Sequence, residues 1–187
     1  MGTPLNTDVN TKNFCKNVTL NKIVCFFEDK NLRYQIKKSD RTKFINQYKN
    51  FYNDYVYIKT YLLGNRVAKG GNKIVYKSKT NPNEVIKIFQ HRLEKIEIEK
   101  QNYNFLIYHN LRHLTPTMQF FNFYCIAEKA SSEFEIVDNQ LIRNIISDSY
   151  ITNFGSINDR PVCLDIKTLD RNYIQKNLSE LQNLRHD

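Results

Sequence analysis

A lysine inside an apolar strand is the first position that calls for chemistry. Residues 84–89 read Glu-Val-Ile-Lys-Ile-Phe. An ammonium among such neighbours is costly to bury unless a carboxylate or an anionic ligand meets it. Lys87 follows the glycine turn Gly70-Gly71 by one hairpin, and backbone amides in such a turn can approach a phosphate. The combination points to a nucleotide site. The competing reading puts Lys87 on the wet face of an edge strand. Glu99 lies twelve positions later, on a predicted helix, where its carboxylate could pair with Lys87 and aim it. Glu94, Glu97 and Glu99 alternate with lysines, so a solvated charge is the alternative, and only one of the three needs to turn inward. The third set is Asp148-Ser-Tyr-Ile-Thr-Asn153, then a hairpin, then Asp165 closing Val162-Cys163-Leu164. A carboxylate, an amide and a second carboxylate beyond a hairpin make an oxygen-rich site of the kind Mg²⁺ takes. Each alone reads as a turn former or a helix cap; the ordered set is the signal.

The elements that must position these groups follow from pattern. Val67 to Tyr76 reads strand, glycine turn, strand, entered from Tyr61-Leu62-Leu63. Asn81-Pro82-Asn83 is a turn, and residues 84–89 a third strand. Residues 92–112 make a long helix with Leu93, Ile96, Tyr103, Leu106, Ile107 and Leu111 on its apolar side. One or two strands fall in 117–129 and a helix in 135–147. Phe154–Ile157 and Pro161–Asp165 flank Asn158-Asp159-Arg160 as a hairpin. From Asp170 a capped helix turns Ile174, Leu178, Leu181 and Leu184 inward. Upstream, residues 1–13 are polar and expected to be disordered. Residues 17–27 read as a strand from their β-favouring side chains. Phe44, Ile45, Tyr48, Phe51, Tyr52 and Tyr55 give an amphipathic helix over 40–58. Its aromatics either pack on the neighbouring domain or stack on single-stranded nucleic acid.

Length and composition bound the answer. A chain of 187 residues with 12 Tyr and 12 Phe can bury a core and is not compositionally disordered. No run approaches the length of a membrane span. The balance is basic, with 28 Lys+Arg against 19 Asp+Glu and a net charge of +9. Residues 1–60 hold 11 of those cations and 5 of the anions. Such charge favours anionic partners. Cys15, Cys25, Cys125 and Cys163 form no CxxC, and no His stands at metal-ligand spacing, so reduced thiols are expected. The N-terminus lacks the apolar core of a Sec signal peptide.

The order glycine turn, strand lysine, helix glutamate, Asp-x4-Asn, hairpin, Asp resembles the protein-kinase superfamily. More narrowly, Leu63-Gly64-Asn65-Arg66-Val67-Ala68-Lys69-Gly70-Gly71-Asn72-Lys73-Ile74-Val75-Tyr76 and Leu164-Asp165-Ile166-Lys167 are similar to the phosphate loop and metal segment of minimal effector kinases secreted by bacterial type III systems. The resemblance covers roughly 61–170. It implies an α+β, protein-kinase-like fold with an antiparallel-sheet N-lobe and a strongly reduced C-lobe. Residues 61–187 would form this domain, and 1–60 a basic extension that opens with a secretion signal. It implies ATP and Mg²⁺ as cofactors. Ala68, Gly70, Gly71 and Val75 would border the phosphates and the nucleotide, Lys87 would hold the α/β-phosphates, and Glu99 would orient Lys87. Asp148 would steer the substrate hydroxyl's proton, Asn153 and Asp165 would bind Mg²⁺, and Glu128 and Ala130 would meet adenine.

There are departures. Ala68 and Lys73 stand at the first and third glycine positions, and the His-Arg expected before the catalytic Asp reads Ile146-Ser147. Asp165 is followed by Ile166-Lys167, and only 22 residues follow it, too few for an activation loop or the usual helical docking lobe. The expected activity is Ser/Thr phosphotransfer to a host protein or to the chain itself, in the host cytosol after secretion. A catalytically weak pseudokinase that binds a host protein is the alternative. The resemblance also implies a host activator such as ubiquitin or a ubiquitin-loaded conjugating enzyme. The ordered site set points away from nucleic acid as the partner, and the absence of a long apolar run points away from a membrane span.

Overall fold

The computed structural model describes residues 18–90, 94–131, 140–147 and 150–184. Its centre is the strand that carries Lys87. β3 (Glu84–Phe89) lies between β2 (Lys73–Ser78) and β5 (Tyr124–Glu128), and the five-stranded sheet is completed by β1 (Leu63–Lys69) and β4 (Met118–Phe120). The order is β1-β2-β3-β5-β4, and every pairing is antiparallel.

Both faces of this sheet are covered, which is why β3 is apolar at nearly every position. Ile86 and Ile88 pack with Leu20, Ile58 and Phe123 on one side. Val85 and Phe89, one position out of phase, join the core of α4 (Glu94–Tyr108) on the other. Lys87 belongs to this second face by strand alternation. It is 5% exposed in an interior strand, so the edge-strand alternative is excluded. α4 connects β3 to β4 and lays Ile96, Glu99, Asn102, Tyr103 and Leu106 inward. Ile107, expected on the apolar side, is 43% exposed, because the helix ends at Tyr108 and the chain reverses at Asn110 (φ 58°).

Residues 20–28 form a helix, α1 (Leu20–Glu28), and not the expected strand. The β-favouring side chains are overruled by spacing: Leu20, Ile23 and Phe26 recur every third residue and bury one face. The Thr19 side chain caps the first turn by accepting from the Lys22 amide at 3.2 Å. A short helix, α2 (Lys30–Gln35), leads into α3 (Lys38–Tyr57), which matches the predicted amphipathic helix. Its aromatics pack inward: Phe44 lies against Phe26, and Phe51 stacks on Phe123 at 5.9 Å. Residues 58–62 continue as one π-helical turn, and β1 begins at Leu63, ahead of the strand expected from Val67.

Beyond the sheet, α5 (Gln140–Arg143) is the described remnant of the helix expected over 135–147. β6 (Phe154–Ile157) and β7 (Arg160–Cys163) pair as a two-stranded ribbon. Its turn residues Asn158 and Asp159 both have positive φ, 50° and 63°, as a tight hairpin requires. Gly155 admits no side chain, since a Cβ there would sit 2.7 Å from the Ser131 carbonyl. That close approach lets Ser131 bridge Ser156. The single C-terminal helix expected is two, α6 (Arg171–Lys176), capped by Asp170, and α7 (Leu178–Asn183). The Asn177 side chain donates to the Tyr173 carbonyl at 2.8 Å and breaks the run. Ile174 and Leu181 are buried as expected. Among the described residues, no helix is long and apolar enough to cross a membrane. Residues 1–13, Cys15 and Leu93 lie outside the described residues.

Candidate nucleotide site

The β6–β7 ribbon brings two of the expected residues together. Its register pairs Phe154 with Cys163, and the Leu164 amide donates to the Asn153 carbonyl at 2.7 Å. Asn153 and Asp165, twelve positions apart in sequence, thus flank one end of the ribbon. Both line a cleft of about 750 Å³ between the ribbon and the α4-facing side of the sheet. Ala68, Gly70, Val75, Lys87, Glu128 and Ala130 line the same cleft, with Gly70 in the turn between β1 and β2. Gly71 is not among its lining residues. Neither Gly70 nor Gly71 has positive φ, and a Cβ at Gly71 would meet nothing within 4 Å, so the fold itself does not require glycine there. Asp148 lies outside the described residues. Ahead of it, Ile146 bridges Leu169 and the Ser147 amide donates to the Thr168 carbonyl, which keeps this approach beside the segment after Asp165.

Of the three candidate glutamates on α4, Glu99 turns inward and is fully buried, whereas Glu97 is exposed. Glu99 does not serve Lys87 alone. Its Oε1 lies 3.8 Å from Lys87 Nζ, while Lys73 Nζ lies 3.0 Å from its Oε2 and 3.3 Å from its Oε1. Lys73 reaches further, to Asp165 Oδ1 at 3.2 Å. The second Asp165 oxygen faces Lys167 Nζ at 3.4 Å. Lys87 makes its shortest bond elsewhere, donating to the Leu164 carbonyl at 2.7 Å. Burial alone would lower the Lys73 pKa, but the Glu99 and Asp165 carboxylates more than offset it and hold it above the usual value. For Asp165, burial acts to raise the pKa, and the two ammoniums win and hold the carboxyl below its ordinary range.

Lys73 appeared in the sequence only as a departure from a glycine position. Two further residues carried no recognisable signal. Asn102, one turn along α4 from Glu99, donates to the Ile166 and Lys167 carbonyls at 2.7 and 3.3 Å. Arg171 donates to Asn102 Oδ1 at 3.1 and 2.8 Å. Together they fix the backbone that carries Asp165 against the helix that carries Glu99. Cys125, opposite Lys87 on β5, is a thiol pushed up to about 12 by burial, and it is inert at neutral pH.

The chemistry of the cleft is cationic. Lys69, Lys73, Lys77, Lys87 and Lys129 line it, against the carboxylates of Glu128 and Asp165. Such a surplus suits a polyanionic ligand. The Asn153 and Asp165 oxygens fit Mg²⁺, which takes few protein ligands and completes its shell with water and phosphate. Asp165 already attracts cations on both oxygens, and one ammonium must yield for a metal to bind. Among the described residues no group of three acidic, His or Cys side chains could cage a metal unaided. A smaller cavity of about 280 Å³ shares Glu128 with the cleft and is lined by Arg112, His113, Thr117 and Arg160, none of them an expected site residue. No protein-family model matches the chain, and no curated protein matches it in sequence.

Proposed function

We propose that the chain is a minimal protein-kinase-like phosphotransferase, moving the γ-phosphoryl of ATP to a hydroxyl of a host protein or of itself. The observation that carries the reading is convergence. Lys87 on β3 and Asn153 and Asp165 at one end of the ribbon come from separate stretches of sequence and meet at a single cleft beside a glycine turn, with Glu99 of α4 buried behind Lys87. The sheet order and the helix between β3 and β4 support the kinase-like N-lobe.

In this reading ATP supplies the phosphoryl group, and Mg²⁺ supplies charge neutralisation between its phosphates. Lys87 holds the phosphate tail from the sheet side, kept in place by the Leu164 carbonyl and Glu99. Asp165 and Asn153 present the oxygens that hold the metal. Glu128 and Ala130, at the end of β5, border the base. The lysine-lined walls concentrate the anion and exclude competing cations. Asp148 takes the hydroxyl proton. A host protein as substrate, delivery by secretion into host cytosol and activation by ubiquitin or a loaded conjugating enzyme belong to the same proposal and rest on the resemblance alone.

One observation favours a second reading. Both Asp165 oxygens are engaged by lysines, and Glu99 lies nearer Lys73 than Lys87. A site held this way suits a pseudokinase that binds nucleotide weakly and acts by holding a host protein. Phosphotransfer from labelled Mg-ATP to lysate proteins separates the two. Turnover lost in Lys87→Ala supports the kinase, and nucleotide binding with no transfer under any condition supports the pseudokinase.

A further inference from the structure

Resting on the nucleotide-site reading, we infer that Lys73 is the resident cation of the site and its positioning residue. It holds Glu99 and Asp165 together in the unliganded chain and exchanges Asp165 for the phosphates of an incoming nucleotide. The placement of Lys73 makes this reach available. Its carbonyl accepts from the Gly70 amide at 2.9 Å, so it closes the glycine turn as well as opening β2. Its ammonium lies over the Phe89 ring at 5.7 Å and bridges the carboxylates at 3.0 and 3.2 Å. One side chain therefore ties the glycine turn to α4 and to the segment after β7.

The charge count gives the exchange its direction. Lys73, Lys87 and Lys167 face only Glu99 and Asp165 in this cluster, which leaves one net positive charge. An anion is drawn in and a free dication is repelled. Once phosphate oxygens offer Lys73 a second anionic partner, Asp165 regains an oxygen for a metal. Lys73 thereby sets an order of binding, nucleotide first and divalent cation second. It also makes the glycine turn sensitive to occupancy, because the tether that holds the turn down is the group that is exchanged.

The test is calorimetric titration of the full chain with MgCl₂ alone, with ADP in EDTA, and with ADP plus Mg²⁺. The chains are wild type, Lys73→Met, Lys73→Gln and Lys176→Ala, each checked for folding by circular dichroism. Lys176, exposed on α6, lies outside the cleft and the ion cluster. Lys73→Met should bind Mg²⁺ alone roughly tenfold more tightly and metal-free ADP roughly tenfold more weakly, opposite shifts expected from removing one nearby unit charge. Lys176→Ala should leave Mg²⁺ binding unchanged. Lys73→Gln keeps a donor toward the carboxylates and should shift both affinities in the same directions if the Met variant fails to fold. If wild type binds ADP while the Lys73 variants weaken both ligands in parallel, or change neither, Lys73 is a structural strut and the inference is overturned. If wild type binds no ADP with or without Mg²⁺, the nucleotide-site reading itself falls.

Discussion

The Lys87 ammonium donates to the Leu164 carbonyl at 2.7 Å, across 77 positions of sequence. This bond joins the five-stranded sheet to the ribbon that carries Asp165, so the strand lysine is both a candidate ligand for phosphate and a clamp between two sheets. Lys87→Ala should lower phosphotransfer by about 100-fold, the scale of losing one fixed donor at a charged reacting group. The fold should survive, because Glu99 keeps Lys73 as a partner. Single-turnover transfer and urea denaturation on the same preparation check both halves.

Glu99 is the buried anion on which two ammoniums depend. Glu99→Ala leaves Lys73 and Lys87 without it and should cost about 3–5 kcal/mol, the usual penalty for breaking a buried pair. Glu97→Ala, on the exposed face of the same helix, should stay within about 0.5 kcal/mol. Equal losses in chemical denaturation would mean that Glu99 is not the buried partner.

The ion cluster predicts both limbs of the stability profile. Asp165 has a folded pKa below its ordinary 3.8, so its contribution is present above that value and is lost as pH falls through the folded pKa. Lys73 has a folded pKa above 10.5, so its contribution is present below that value and is lost as pH rises through the folded pKa. Asp165→Asn should flatten the acid limb of melting temperature against pH, and Lys73→Met the alkaline limb. Unchanged limbs would contradict the pairing.

Three glycines separate structural from functional need. Gly155→Ala pushes a methyl against the Ser131 carbonyl and should cost about 1–3 kcal/mol. Gly71→Ala has open space and should leave thermal stability unchanged. If the glycine turn meets phosphates, Gly70→Ala, which places a methyl on a residue lining the cleft, should weaken ADP binding.

Thiol accessibility tests the packing independently. Cys25 is exposed, whereas burial raises the Cys125 and Cys163 pKa values. An aromatic disulfide reagent should label Cys25 quickly and reach Cys125 and Cys163 only on unfolding. Rapid labelling of Cys125 would mean that the face beneath Lys87 is not closed.

Local pattern made much of this legible. β3 is legible because its short apolar run is β-branched and lies just after a turn signal. The ribbon followed from its turn residues, and the reach from Asn153 to Asp165 followed from the ribbon. Lys87 stands out because a charge in such a run needs a partner. What stayed hidden depends on contacts distant in sequence. Lys73 looks like any strand-edge lysine until β2 pairs with β3 and α4 packs on their shared face. Asn102 is an ordinary helix polar residue until the segment after β7 offers it two carbonyls. Residues 20–28 misled because their side chains favour strand, while their spacing and the Thr19 cap favour helix.

The central claim is that this cleft transfers phosphate, and labelled phosphotransfer tests it most directly. Wild type, Lys87→Ala and Asp148→Ala are incubated with γ-labelled Mg-ATP, with and without cell lysate. The account predicts label on protein with wild type and its loss in both variants. Full transfer by Lys87→Ala, or no transfer and no nucleotide binding by wild type in either condition, would contradict it.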